Sequence, residues 1–380
     1  MGAKAGATVT LMAGGDIGPV YEPTEQLAEL IAPVLQQADL RFGQCERTYS
    51  ERGADPQFGF GPHGEHSRLH PRMAGVWQAA GIDIVSLASN HAMDWGPEAL
   101  LDTAAMFRAQ GKHVIGAGRD ADEARAPAIV ERNGVKIAFL SYCSVLRDGQ
   151  AAGKGKAGVA PARVHTHYAP EEFQPGAPPK IITVPHKPDV KALQEDIRKA
   201  KRQADAVIMS IHWGLRHVPK TICTYQRPIA HAAIDAGVDL ILGHHAHSIK
   251  AIEVYKGKVC FYSIGNFMTT GGPKNSRSRV FDWNLVWYEQ DPETLPPHGI
   301  YHFPPHCRKT MVAKAVIGKQ GIEKVSFLPA FITPKAQPYV VAPDDPKFQE
   351  ILKWTEWVSD HHPHKFRVEG NEVVVDTSES

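Results

Sequence analysis

The chain has 380 residues, with 42 Lys+Arg against 41 Asp+Glu and a formal net charge of +1. So even a balance gives no global attraction to nucleic acid or to an anionic membrane. Hydrophobic residues at 43% and charged residues at 22% argue against a disordered, collagenous or coiled-coil chain. The five cysteines are odd in number and include no CxxC, which argues against a disulfide framework or a Cys-based zinc knuckle. With no signal-type leader and no run of 18 apolar residues, a cytoplasmic location is expected. One count stands out: 20 histidines, roughly twice the usual share. Histidine is the commonest metal ligand.

Strand-like and helix-like segments alternate, which predicts an α/β layered fold. Ala7–Ala13 reads as a strand ending at Gly14-Gly15-Asp16, and Thr24–Gln37 as a helix interrupted by Pro33. Ala38–Cys45 is the next strand and runs into Glu46; Ile82–Ala88 is another and runs into Ser89-Asn90-His91. Pro97–Gln110 is a helix, with Pro in its first turn and Gly111 beyond its end. Ala128–Tyr142 reads as a hairpin turning at Asn133-Gly134. Residues 144–188 lack periodicity and are expected to be a long functional loop or disordered. Asp189–Gln203 is a helix, Ala206–Ile211 a strand ending at His212, and Arg227–Ala236 a helix closed by Gly237. Val238–Leu242 is a strand ending at Gly243-His244-His245-Ala246-His247. Hairpins are expected at Ile249–Ile264 and Val312–Phe331, and a short helix near Pro346–Val358. Residues 1–380 are read as one domain, with insertions at about 144–188 and 269–311.

The chemistry lies in where polar residues fall. Asp16, Glu46, Asn90-His91, His212 and His245-x-His247 each sit where an apolar strand-like run ends. In open α/β sheets ligands collect at the carboxyl ends of strands. Each residue alone has an ordinary use, as a cap, a turn residue or a structural histidine. Together they offer two carboxylates, an amide oxygen and several imidazoles, a mixture that suits Mn, Fe or Zn better than Mg or Ca. Such a set has room for one or two divalent ions. His63, His66 and His70, with Arg68 and Arg72, and likewise Lys154, Lys156, His165 and His167, are weaker candidates for a cationic rim.

The series Gly15-Asp16, Glu46, Ser89-Asn90-His91-Ala92-x-Asp94-x-Gly96, His212-Trp213-Gly214 and Gly243-His244-His245-x-His247 resembles the CapA/PgsA family. Tyr262-Ser263-Ile264-Gly265-Asn266-Phe267 matches a further family segment, and Glu253 falls in the strand before it. That family is named for poly-γ-glutamate capsule biosynthesis and is similar to the calcineurin-like metallophosphoesterases. The resemblance spans roughly residues 8–268. It implies a four-layer sandwich of two mixed β-sheets, face to face and flanked by helices. It also implies Asp16, Glu46, Asn90, His212, His245 and His247 as metal ligands, with Glu46 in a bridging place. His91 is implied as the catalytic proton donor, oriented by Asp94. His244 is ranked lower, as an outer group or one that supports the ligands, and is grouped with the substrate contacts.

Two departures stand out. The wider superfamily often has D-x-H in the first motif; here the residue two after Asp16 is Gly18. Family members often carry Glu two residues after Trp-Gly; here that stretch reads Leu215-Arg216-His217, which makes Arg216 a candidate contact for an anionic substrate. The expected function is a metal-dependent hydrolase, in which metal-bound hydroxide attacks a phosphoester or an amide bond, γ-glutamyl among them. The alternatives are a capsule-biosynthesis or export component and a non-catalytic binding module. The expected partner is a small or oligomeric anionic substrate, with no nucleic acid, no membrane and room for a homo-oligomer.

Overall fold

A computed structural model describes residues 7–54, 68–172, 179–270, 300–301 and 303–378. The chain is mixed α/β, built on two large mixed sheets. Strands β1 (Val9–Gly18), β2 (Leu40–Cys45), β3 (Ile84–Ser86) and β4 (His113–Ile115) run parallel in that order and form half of the first sheet. The second sheet contains β5 (Ala128–Arg132), β6 (Val135–Cys143), β7 (Ala206–His212), β8 (Leu240–His244), β9 (Ile252–Tyr255) and β10 (Lys258–Phe261). Its order is β9-β10-β8-β7-β6-β5, with β6, β7, β8 and β10 parallel.

The chain then returns to the first sheet. β11 (Asn266–Thr269) pairs in parallel with the end of β1. β12 (Lys309–Gly318) lies antiparallel to β1 and is followed outward by β13 (Gly321–Ile332). β14 (Pro338–Val340) pairs with β13 on one stretch. β15 (Phe366–Glu369) and β16 (Glu372–Val375) complete the edge. The long helices are α1 (Gly96–Ala109), α2 (Lys187–Lys201), α3 (Gln226–Ala236) and α4 (Pro346–Ser359).

Three apolar clusters hold these elements. One joins both sheets, with Leu11, Phe42 and Ile84 of the first beside Phe139, Ile208 and Leu242 of the second. A second packs Trp77, Leu100 and Phe107 with Met12, Cys45 and Val85 of the first sheet. The third packs Leu193, Ile197 and Ile229 of α2 and α3 with Leu140, Val207 and Met209 of the second sheet. Central strands buried on both faces read as continuous apolar runs rather than alternating ones. That explains why β1, β7 and β8 were visible in the sequence.

Tight turns carry the expected hairpins. Asn133 and Gly134 both have positive φ, 51° and 75°, as do Lys256 and Gly257 at 50° and 68°. These are the left-handed pairs that two-residue hairpins need.

Two expectations change. Thr24–Gln37 is not one helix: a 3-10 turn, Thr24–Ala28, precedes a four-residue helix, Ala32–Leu35. Pro33 lies in the first turn of the latter, where its missing N–H does no harm. Residues 144–188 are not a structureless loop. Val164–Ala169 pairs antiparallel with Lys180–Pro185, and Gly158–Val159 pairs with Ala117–Gly118. His165 and His167 lie on that hairpin and are exposed; its exposed faces leave no apolar period to read. The C-terminal tail forms β15 and β16 around Gly370, whose φ is 61°. Of the expected 269–311 insertion, 271–299 and 302 lie outside the described residues, as do His63 and His66. His70 accepts from the Arg72 N–H, Arg72 pairs with Glu22, and Arg68 lies 3.8 Å over the Trp95 ring.

Glu253 of β9 ties the second sheet to α3 and to the chain after α4. It accepts from Arg227 at 2.9 Å and Tyr262 at 2.7 Å, with the His231 Nε2 at 3.2 Å. Burial pushes its carboxyl up. The His362 ring 4.0 Å away, the Tyr262 hydrogen bond, and the charges of His231 and Arg227 outweigh that and hold it at about 2. The folded value lies below the unfolded value of 4.5. Glu253 therefore contributes stability that is full above about pH 4.5 and is lost as pH falls toward 2. Urea unfolding across that range should show Glu253→Gln less stable than wild type by about 1–3 kcal/mol at pH 7. The difference should shrink below pH 4.5; a constant difference would contradict this role.

Candidate metal centre

Parallel pairing brings the motif residues to one edge. Asp16 lies two residues before the end of β1, Glu46 follows β2, and Asn90-His91 follow β3. In the second sheet His212 is the last residue of β7 and pairs with His244, the last of β8. His245 and His247 lie in the turn beyond. Asp16, Glu46, His212, His244, His245 and His247 are all buried. The His245 N–H donates to Asp16 Oδ2 at 3.2 Å, joining the two sheets across the site.

Two donor sets emerge. Glu46, His212 and His245 form one; Asp16, Glu46 and His247 form the other; within each, ligand atoms lie within 4.8 Å of one another. Glu46 belongs to both. Its Oε1 is 3.8 Å from His212 Nε2 and 3.6 Å from His247 Nε2. Asn90 Oδ1 joins the first set at 2.7 Å from His212 Nε2, and His245 Nδ1 lies 3.1 Å from the same nitrogen. All six residues singled out in the sequence thus lie in one cluster.

Charge and tautomer suit a cation. Burial, then the charge of Glu46, pushes the Asp16 carboxyl well above its usual range, although the His245 N–H pulls it down. Burial lowers His212, His245 and His247, and neighbouring positive charges add to this; at His247 the Glu46 charge and the Asn266 hydrogen bond oppose it without reversing it. All three imidazoles are therefore neutral at pH 7 and have a lone pair to give. Asp16 Oδ1 and Glu46 Oε1 are buried without a hydrogen-bond partner. Buried polar atoms without partners are rare in native proteins and point to an ion or water. Two buried carboxylates beside converging imidazoles fit a bound divalent cation. His245 and His247 hold left-handed backbones, φ 83° and 55°. Such conformations in residues with side chains are uncommon and gather at functional sites.

His91 and Asp94 stand at the mouth of this cluster. His91 Nδ1 donates to Asp94 Oδ2 at 2.6 Å. Their side chains keep 17% and 12% of their exposure, against 0% for His212. Burial raises Asp94, but the His91 hydrogen bond and the charges of His91, Arg147 and Arg47 leave it below its ordinary value.

The two weaker candidates, His244 and Arg216, are also placed. His244 is fully buried, stacked on Phe42 at 5.6 Å, with Nδ1 3.6 Å from Asp16 Oδ1; burial pushes it down to about 3. It lies among the interior groups behind Asp16 and not at an outer surface. Arg216 is half-buried, and its charge acts on His217, His245 and His247. Trp213 is buried, stacked on Tyr262 at 5.5 Å, and belongs to the core.

Sequence reasoning gave no role to Asn266 or His217. His247 Nδ1 donates to Asn266 Oδ1 at 2.7 Å, which leaves Nε2 free to face Glu46. Asn266 in turn donates to Tyr301 Oη at 2.8 Å, and Tyr301 donates to the Cys307 carbonyl. Such supports fix a ligand's tautomer and orientation. The signal was present, since Asn266 lies in the quoted Tyr262–Phe267 segment, but no ligand role followed from it. His217 has φ 66° and its ring lies 5.4 Å from that of His247. Asn266→Ala should weaken Mn or Zn affinity about 10–100-fold in chelator competition. Unchanged affinity would show that Asn266 does not orient His247.

Comparison with known proteins gives the family. The family described as bacterial capsule synthesis protein PGA_cap matches residues 8–270. The PGA biosynthesis protein CapA of Bacillus subtilis is 31% identical over 269 residues, covering 70% of this chain and 61% of that protein. The capsule biosynthesis protein CapA of Bacillus anthracis is 32% identical over 213 residues, covering 55% of this chain and 44% of that protein. The chain thus matches about half to three fifths of the length of these relatives. Among the described residues no helix is long and apolar enough to cross a membrane. With more than half of its length matched by the family, including every residue of the centre, the chain belongs to the bacterial capsule synthesis protein PGA_cap family.

Proposed function

We propose that the protein is a metal-dependent hydrolase acting on an anionic substrate, on a metallophosphoesterase-like four-layer sandwich. The observation that carries the reading is Glu46, a buried carboxylate common to two donor sets. Asn90, His212 and His245 would hold one cation with Glu46; Asp16 and His247 would hold a second. Carboxylates with imidazoles favour Mn, Fe or Zn. Cations bound there would acidify a water molecule and polarise a phosphoryl or carbonyl oxygen. The second set has no imidazole at Gly18 and is the weaker of the two.

The chain's own residues supply the rest. Asp94 fixes the His91 tautomer, so Nε2 is the atom that passes a proton to the leaving group. Arg216 adds positive charge on the His245–His247 side, which suits an anionic substrate. The five unpaired cysteines fit the reducing compartment expected of a cytoplasmic protein. The bond cut is a phosphoester or a γ-glutamyl amide. The names of the Bacillus relatives favour a part in PGA capsule biosynthesis, and a γ-glutamyl bond joins that role to hydrolysis.

Elemental analysis with a panel of phosphomonoesters, phosphodiesters and γ-glutamyl amides tests this. Glu46→Ala should lose bound metal and turnover together. His91→Ala should keep its metal and lose about 10²–10⁴-fold in kcat. Full turnover by Glu46→Ala, or a wild type that binds no Mn, Fe or Zn, would sink the hydrolase reading in favour of a binding module.

A further inference from the structure

Arg47 follows Glu46 and is half-buried. Its Nε is shut off from solvent and has no hydrogen-bond partner, and among the described residues it makes no ion pair. Other arginines of the chain show what such a group ordinarily finds. Arg125 binds Asp196 through two nitrogens, and Arg163 binds Asp189 likewise. A guanidinium is a planar set of donors that matches a carboxylate or a phosphate with paired hydrogen bonds. Half-buried and without an acidic partner among the described residues, the Arg47 guanidinium has donors that the chain itself does not satisfy.

Two further observations place it. A Cβ on Gly18 would lie 3.2 Å from Arg47 Nε and 3.4 Å from its Cγ. The Arg47 side chain thus packs over Gly18, two residues past Asp16. This is the position without the second histidine of a D-x-H motif, and Arg47 occupies room that an imidazole there would need. The charge of Arg47 also reaches Asp94, the partner of His91. Arg47 is therefore near enough for its charge to act on Asp94, while the charge of Arg216 falls on His245 and His247.

We propose that Arg47 binds an oxyanion of the substrate, a carboxylate or phosphate group next to the scissile bond, at the Gly18 side of the metal centre. The word substrate rests on the hydrolase reading; the anion site itself does not. A substrate with negative charge beside the bond to be cut would be held by Arg47, near the reach of His91, with Arg216 supplying a second positive charge. Arg47 lies next to a metal ligand but donates none of the ligand atoms.

The test is equilibrium binding of inorganic phosphate, of glutarate and of oligo-γ-glutamate to the full chain, with metal content measured in parallel. Wild type, Arg47→Gln and Arg47→Lys are compared. Arg47→Gln should weaken phosphate, or else glutarate and oligo-γ-glutamate, by about tenfold or more, the loss expected for charge-assisted hydrogen bonds. Metal content and the urea midpoint should stay at wild-type values. Which probe weakens identifies the oxyanion as phosphate or carboxylate. Arg47→Lys keeps the charge but not the paired geometry, so its affinity should fall between the other two. If Arg47→Gln fails to fold, the Arg47→Lys loss alone decides. Wild-type affinity in the variants, or a wild type that binds none of the probes, overturns the proposal. Anion binding through Arg47 without turnover on any substrate would sink the hydrolase reading and leave this one standing. Turnover with KM unchanged in Arg47→Gln would do the reverse.

Discussion

Glu46 Oε1 is buried, has no hydrogen-bond donor, and lies 3.6–3.8 Å from nitrogens of His247 and His212. Asp16 adds a second buried carboxylate nearby, whose ionisation is disfavoured by burial and then by the charge of Glu46. Burying uncompensated charge is costly, and a fold that keeps such groups together ordinarily pairs them or binds a metal. The surroundings are arranged around that need. Parallel strands of two sheets end at the same edge, the His245 N–H ties the sheets across Asp16, and two histidines hold left-handed backbones to reach inward. Strain of this kind persists where the surrounding structure over-determines it.

The support extends beyond the segment shared with relatives. The family match ends at residue 270. Yet β12 pairs with β1 along Val9–Ala13, and Met311, Ala313 and Phe327 fill the core between the sheets. Tyr301 and Cys307 hold Asn266, which holds His247. The last seventy residues are therefore part of the scaffold that fixes β1, and with it Asp16. The Glu253 network performs a similar service at the far side, tying β9 to α3 and to the chain after α4.

Much of this was legible because buried parallel strands are unbroken apolar runs that end in polar residues. Asp16, Glu46, Asn90, His212, His245 and His247 were chosen by that rule, and the fold brings all six to one place. Contacts made across the sheets were not legible. His244 looked like an outer group, but strand pairing with His212 turns it inward onto Phe42. Asn266 reaches His247 because β11 pairs with β1, a contact between residues 250 positions apart in sequence. Arg47 drew no notice, because an unpaired buried Nε is a property of three-dimensional surroundings. The hairpin Val164–Ala169 with Lys180–Pro185 escaped for a different reason: it is exposed, so burial imposes no apolar pattern on it.

The most direct test of the account is anomalous diffraction from crystals of the full chain grown with Mn²⁺ or Zn²⁺. The account predicts a peak between Glu46, Asn90, His212 and His245, and a weaker one between Asp16, Glu46 and His247, with Glu46 touching both. Ordered metal elsewhere in the chain, with neither peak beside Glu46, would contradict it.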